Sequence, residues 1–200
     1  MTTTTTRTRT TTLDSPVVQA APVHRGRVLM LLFGIAVVIT GAACGSGSAD
    51  STFSKVNPDE TVRDLDDFSQ AGFKKVRDYD VSELPAATGA YLIYFTPPNS
   101  EPMQYELRIY PDHAAAIERG VEYAAEVTGK EALLREVDVR WKEGTRDRRG
   151  GGAFRDSLTP LYGDYAVFGN VILLCEGRDS AQSLGRCAAL LHAAGLGVEG

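Results

Sequence analysis

The arginine-rich stretch "KEGTRDRRGGGAFRDS" (142–157) holds the first side chains with an evident chemistry. It places Arg146, Arg148, Arg149 and Arg155 in a segment without apolar periodicity. Guanidinium groups make forked contacts with carboxylates and phosphates, so the segment predicts an anion-binding or partner-docking loop. A solvated, mobile loop is the alternative. The three consecutive glycines are not followed by the Gly-Lys-Ser/Thr of a phosphate cradle, so a nucleotide loop is not indicated.

Two further side chains are candidates for a binding or catalytic role. The motif "YPDHAAA" places His113 in the first turn of a predicted helix, where it could act as a general base beside Asp112 or a glutamate. An exposed structural histidine is the alternative. Tyr94 projects from a predicted strand on the side opposite to Tyr91 and Phe95, and an exposed tyrosine on a sheet face predicts a binding surface. Its alternative is a place in the core or at the core's edge.

Cys175 and Cys187 are placed so that their sulfurs can meet. Cys175 ends a predicted strand, and Cys187 lies on the inward face of the predicted helix that follows. A disulfide closing a loop of this length would stabilise the fold by about 3 kcal/mol. Two buried thiols are the alternative, since free cysteine is among the most buried residue types. The few histidines lack the spacing of zinc ligands, so the sequence predicts neither a metal site nor a cofactor.

An apolar run near the N-terminus is typical of an export signal. Arg25 and Arg27 precede 13 largely apolar residues, Val28 to Thr40, and small residues follow. A membrane-spanning helix needs about 20 apolar residues, and residues 28–43 provide only 16. A short permanent span and a buried helix are the alternatives. The leader "MTTTTTRTRTTT" is of low complexity, and we interpret it as disordered or as the product of a start codon assigned too far upstream.

The end of this run, "ITGAAC" followed by "GSGSADST", resembles the lipobox of bacterial lipoproteins. Ala42 and Ala43 occupy the two positions before Cys44, although Gly41 stands where that motif usually has leucine. The resemblance implies that the signal is cleaved before Cys44 and that this cysteine carries a lipid anchor. It implies a location on the extracytoplasmic side of the cell membrane. There the two remaining cysteines would meet oxidising conditions, which favours a disulfide between them.

The chain is therefore expected to comprise three parts: a leader and signal peptide (1–43), a flexible Gly/Ser tether (44–52) and one folded domain (53–200). The net charge of −5 is unevenly distributed. From Cys44 onwards the chain has 17 basic and 25 acidic residues. Because nucleic-acid binding depends on cationic side chains facing phosphates, this acidic balance argues against a nucleic-acid partner.

Two hairpin–helix units organise the predicted domain. Predicted elements are a helix at about 58–70, a weak strand at 73–79, strands at 90–95 and 103–110, a helix at 112–128, a strand at 135–141, strands at 165–168 and 171–175, and a helix at 180–194. Alternation in "MQYELRIY" predicts a half-buried strand, with Gln104, Glu106 and Arg108 facing outward. Gly169-Asn170 supplies the positive φ of a tight hairpin turn. Asp112 can cap the helix that follows the first hairpin, and Asp179 or Ser180 can cap the last helix. These elements predict an α+β fold: a two-layer sandwich, with an antiparallel sheet, two ββα units and an N-terminal helix.

No motif for catalysis stands out, so we expect a lipid-anchored binding or interaction module rather than an enzyme. The expected partners are the membrane, through the anchor, and a small anionic ligand or an envelope protein. The alternatives are a structural protein of the cell envelope and, less favoured, a hydrolase-type enzyme that uses His113.

Overall fold

A six-stranded, mostly antiparallel sheet forms the centre of the fold in a computed structural model that describes residues 53–150 and 158–197. In chain order the strands are β1 (Val56–Asn57), β2 (Lys74–Asp78), β3 (Gly89–Phe95), β4 (Met103–Ile109), β5 (Arg149–Gly150), β6 (Thr159–Pro160), β7 (Tyr162–Phe168) and β8 (Val171–Glu176). The sheet has the order β1-β7-β8-β4-β3-β2, and β1 is parallel to β7. Strands β5 and β6 form a separate two-stranded ribbon.

The helices are few and short. A 3-10 helix covers Asp66–Ala71. The next helical segment consists of α1 (His113–Ala115), a π turn (Ala116–Gly120) and α2 (Val121–Ala125). The last helix, α3, covers Ser180–Ala193. Among the described residues, no helix has the length and apolar character needed to cross a membrane.

The predicted α+β class and both hairpin–helix units are confirmed. Strands β3 and β4 pair along their whole length, and β7 pairs with β8 across a turn at Gly169, whose φ is +53°. Asp112 and Asp179 cap the two helical segments, because each carboxylate accepts a backbone N–H from the first turn. The sequence signals at these turns and caps were therefore sufficient to place the elements.

The two faces of the sheet carry separate apolar cores. Strand alternation sends Leu173 and Cys175 towards α3, where Leu190 is also buried. It sends Ile172 and Leu174 to the other face, where the helical segment at 113–125 packs. The helices of the two units thus lie on opposite faces of the sheet.

The predicted helix at 58–70 is wrong over most of its length, since only Asp66–Ala71 is helical. Acidic side chains explain the difference. The carboxylates of Asp59 and Asp64 each accept the backbone N–H two residues further along the chain. Such local turns compete with helical hydrogen bonding, which is why Asp is favoured at helix caps and disfavoured inside helices.

The predicted strand at 135–141 is also wrong. Residues 135–138 form a turn, and Val137 is 84 % exposed. Arg140 pairs with Glu122 and Glu126 of the preceding helical segment, so this stretch is held against a helix and not in a sheet. Val139 and Trp141 are nevertheless buried, which accounts for the apolar alternation in the sequence.

Candidate functional site

A fully buried cluster of charged side chains lies on the sheet face opposite α3. Gln104, Glu106 and Arg108 of β4 point to this face, where the prediction placed them in solvent. That prediction is wrong because the chain after the 113–125 helical segment folds over β4 and brings Arg148 and Trp141 into the same layer. Glu106 and Arg108 have no exposed surface, and Arg148 is 1 % exposed.

Glu106 bridges the two buried arginines. Its Oε1 accepts the Nε–H of Arg108 at 2.7 Å and an N–H of Arg148 Nη2 at 3.1 Å. Its Oε2 accepts the Nε–H of Arg148 at 2.7 Å. The Arg148 contact is therefore a forked pair, the geometry in which arginine binds carboxylates most strongly.

The indole of Trp141 packs against both guanidinium groups. The guanidinium carbons of Arg108 and Arg148 lie 4.9 Å and 4.5 Å from the ring centroid. The ring is 2 % exposed, and its Nε1–H donates to the carbonyl of Asp80 at 3.0 Å. An aromatic face attracts a cation most strongly where water is excluded, so Trp141 helps to keep both charges buried.

The cluster keeps its charges in spite of burial. Burial acts to raise the pKa of Glu106, but the charges of Arg148 and Arg108 outweigh it and hold that pKa below its usual range. Burial acts to lower the pKa of Arg148, and the Glu106 carboxylate overrides this and raises it. One carboxylate faces two guanidinium groups, so the cluster has a net charge of +1.

Three nitrogen atoms of the cluster find no acceptor among the described residues. They are Nη1 and Nη2 of Arg108 and Nη1 of Arg148, and all are buried. A buried polar group without a hydrogen-bond partner costs about 1–3 kcal/mol, and more when it is charged. The two unpaired terminal nitrogens of Arg108 therefore carry a free-energy cost that a hydrogen-bond acceptor at this site would remove.

Polar side chains surround the cluster on the sheet side. Gln104 Nε2 donates to the Tyr162 hydroxyl at 2.8 Å and to the carbonyl of Asp147 at 2.7 Å. Burial raises the pKa of Tyr162 well above its usual range, and the Glu106 charge adds to the effect. Tyr79 donates its O–H to the Asp147 carboxylate at 2.9 Å. These tyrosines are neutral hydrogen-bonding groups at ordinary pH.

The turn at residues 142–148 covers the cluster. Gly144 has a φ of +72°, which favours glycine, and a Cβ built on it would lie 2.9 Å from Arg148 Nη2 and 2.9 Å from Tyr79 Cζ. The backbone therefore approaches the guanidinium too closely for any side chain at this position.

An open cleft lies between the β5–β6 ribbon and the start of α3. It has a volume of about 460 Å³, and the charged side chains among its described lining residues are Glu176, Arg178 and Arg186. The Glu176 carboxylate accepts the backbone N–H of Gln104 at 2.9 Å, and Arg186 donates to the Glu176 carbonyl at 2.7 Å. Among the described residues that line this cleft, two cations face one carboxylate, which is an excess of positive charge.

A smaller cleft, of about 250 Å³, opens on the outer side of the 142–148 turn. Its charged lining residues are Arg77, Glu136, Lys142, Glu143, Arg146 and Asp147. Three cations and three carboxylates balance there. This cleft therefore lacks the charge excess of the cleft beside α3.

The arginines of the predicted anion-binding loop lie in different environments in the structure. Arg146 is exposed and lines the smaller cleft, whereas Arg148 is buried against Glu106. Arg149 is partly buried and donates its Nε–H to the Thr145 carbonyl at 3.2 Å. Arg155 lies outside the described residues, as do Cys44, the leader and signal at 1–43 and the tether.

The other two predicted side chains make local contacts. Tyr94 is 37 % exposed, and its O–H donates to Gln104 Oε1 at 3.0 Å. His113 is half-buried, and its Nδ1 lies 2.8 Å from the Gly169 carbonyl, to which it donates. His113 therefore links the helical segment to the β7–β8 turn.

The predicted disulfide between Cys175 and Cys187 is confirmed and joins β8 to α3. Both cysteines are fully buried. Within the described ranges no group of three or more His, Cys, Asp or Glu side chains is arranged to hold a metal ion.

Comparison with known proteins identifies a family without identifying an activity. Neither the curated proteins nor the solved structures contain a match to the chain. The model of a family of unknown function, DUF6810, matches residues 64–194, a range that includes the buried cluster, the cleft beside α3 and the disulfide. The chain belongs to the DUF6810 family.

Proposed function

We propose that this chain is a lipid-anchored binding module on the extracytoplasmic side of the cell membrane. We propose further that it takes a small anionic ligand in the cleft beside α3. The observation that carries the second statement is the charge of that cleft, where Arg178 and Arg186 face one carboxylate, Glu176.

Two features of the chain support the location. The N-terminal run ends at Cys44 in a lipobox-like sequence, and a Gly/Ser stretch follows. The disulfide between Cys175 and Cys187 fits export, because disulfides persist in oxidising compartments and are rare in the cytosol. Neither feature depends on the other.

The dimensions and chemistry of the cleft support the ligand class. Its volume of about 460 Å³ lies within the range of about 300 to 1,000 Å³ that is common for small-molecule sites. Arginine suits phosphate and carboxylate because its planar donors match their oxygens. The Glu176 carboxylate accepts the Gln104 backbone N–H through Oε2, so that oxygen is directed at the backbone of β4.

The anchor is tested by intact-mass analysis of the protein made in a bacterial host, with and without globomycin, which inhibits lipoprotein signal peptidase. A mature species that lacks residues 1–43 and carries acyl mass supports the anchor. A full-length, unmodified species contradicts it.

The ligand class is tested by thermal shift of the full chain in a non-ionic detergent, with phosphate, sulfate, citrate and neutral solutes at constant ionic strength. We expect multivalent anions to raise the Tm of the wild type and of Arg119→Gln, which removes an exposed charge on the opposite face. We expect Arg178→Gln and Arg186→Gln to lose this rise. An equal anion response in all four proteins would reject the cleft as the site, and no response in any would favour a structural protein of the envelope.

A further inference from the structure

The buried pair of arginines has more N–H donors than the described residues around it satisfy. We propose that Arg108 and Arg148 hold a small monovalent anion inside the domain, either a halide or a carboxylate group, at a site separate from the cleft beside α3. The unpartnered nitrogens of both residues would be its ligands.

Charge is the first argument. Both guanidinium groups are buried and share one carboxylate, Glu106. Among the described residues, the Asp147 carboxylate next to this layer accepts from Tyr79 and lies 3.4 Å from Arg77. An uncompensated buried charge costs several kcal/mol, whereas a single bound anion would make the cluster neutral.

Geometry is the second argument. Glu106 Oε1 accepts from both arginines, and both guanidinium groups lie within 5 Å of the Trp141 ring centroid. The two groups are therefore neighbours. Arg108 uses only its Nε for Glu106, which leaves its two terminal NH2 groups for another acceptor. Charge-assisted hydrogen bonds to such an acceptor are about twice as strong as neutral ones.

Enclosure limits the size of the anion. The 142–148 turn and Trp141 cover the cluster, and the closeness of Gly144 to Arg148 leaves no room for a side chain there. A halide or a formate-sized carboxylate group fits this description better than a polyvalent phosphate ester. Net charge points to the same conclusion, because a single negative charge balances the +1 of the cluster.

Trp141 provides a built-in reporter, since it is the single tryptophan of the chain. Collisions between iodide and a ring that is 2 % exposed give weak, linear quenching of fluorescence. An iodide held beside Arg108 would instead quench Trp141 along a saturating curve. We therefore titrate the full chain, exchanged into a gluconate salt, with iodide at constant ionic strength. Formate and chloride are then added as competitors.

We expect saturable quenching that chloride reverses, and a Tm that rises by about 5 °C or more when chloride exceeds its Kd a hundredfold. Reversal by formate would assign the site to carboxylate groups as well as halides, and a lack of reversal by formate would assign it to halides alone. Linear quenching together with a Tm that is independent of chloride would overturn the proposal.

Matched variants locate the effect. Arg108→Met keeps the volume of the side chain and leaves a neutral Glu106–Arg148 pair, so it should abolish both saturable quenching and the chloride dependence of Tm. Arg178→Gln alters only the cleft beside α3 and should retain both. If Arg178→Gln loses them instead, the anion binds in the cleft and the internal site is rejected. If Arg108→Met does not fold, Arg178→Gln still decides: saturable quenching that it retains supports the internal site, and quenching that it loses rejects that site.

Discussion

Replacing Glu106 with glutamine is the most direct test of the buried cluster. The substitution keeps the shape of the side chain but removes the charge that two buried guanidinium groups share. Three charge-assisted hydrogen bonds, at 2.7, 2.7 and 3.1 Å, are weakened or lost. Breaking a buried ion pair from one side costs about 3–5 kcal/mol, because the remaining charge is left uncompensated. For a domain of this size that corresponds to a fall in Tm of about 6–20 °C.

The assay is urea unfolding of the full chain in a non-ionic detergent at fixed chloride concentration, followed by Trp141 fluorescence and far-UV circular dichroism. Glu122→Gln is the matched control, since Glu122 also pairs with an arginine, Arg140, but its side chain is 64 % exposed. Exposed pairs contribute about 0–1 kcal/mol, so the control should change the free energy of unfolding little. A loss for Glu106→Gln below about 1 kcal/mol, equal to that of the control, would refute the argument.

The wild type and Glu106→Gln should also differ in how their free energy of unfolding depends on pH. The pKa of Glu106 is lower in the folded state than in the unfolded state, so its stabilising contribution is present above the unfolded pKa. That contribution is lost as the pH falls through the folded pKa. The difference in unfolding free energy between the wild type and Glu106→Gln should therefore be largest near neutral pH and shrink in acid. A difference that is independent of pH would show that lost packing, and not lost charge, destabilises the variant.

Three other predictions concern separate parts of the fold. Reduction of the Cys175–Cys187 disulfide should lower the free energy of unfolding by about 3 kcal/mol, which urea titrations with and without reductant measure; an unchanged midpoint would contradict it. Gly144→Ala should lower the Tm, because Gly144 has a positive φ and its backbone lies close to the side chains of Arg148 and Tyr79. Gly185→Ala is the control: this residue lies in α3 with open space around it, so the substitution should raise the free energy of unfolding by up to about 1 kcal/mol. Asp59 should titrate with a pKa of about 2 in a carboxylate NMR titration, because hydrogen bonds from a backbone N–H and an arginine stabilise its charge. Its contribution to stability is present above the unfolded pKa of 3.8 and is lost as the pH falls through 2. A titration midpoint near 3.8 would disprove this prediction.

Local signals in the sequence were sufficient for the hairpins, the caps and the disulfide. The Gly169 turn, the Asp112 and Asp179 caps and the inward faces of Cys175 and Cys187 depend on neighbours within a few residues, so their chemistry is visible in the sequence. The prediction of a helix at 58–70 was wrong because of local chemistry of the same kind. The spacing of Val62, Leu65 and Phe68 is typical of a helix. Asp59 and Asp64 instead form local turns, because each carboxylate accepts a backbone N–H two residues further along.

The buried cluster could not be predicted from the sequence, because alternation of apolar and polar residues in β4 shows only that the two faces of the strand differ. The pattern around Glu106 and Arg108 predicts one apolar and one polar face, and a polar face is usually the solvated one. The chain near Trp141 and Arg148 covers this face, and Arg148 lies 42 residues beyond Glu106 in the sequence. A buried salt bridge has no signature in single-sequence periodicity. The sequence pattern therefore does not distinguish Arg148, which is buried, from Arg146, which is exposed.

The strand order has a consequence for the sequence of folding events. Strands β3 and β4 are neighbours both in the chain and in the sheet, as are β7 and β8, so each hairpin can form early. The junction of β4 with β8 joins residues about 60 to 70 positions apart, and closing that distance costs entropy before any contact compensates for it. We expect this docking to limit the folding rate. The two hairpins would then acquire their own strand pairing before the central junction of the sheet forms.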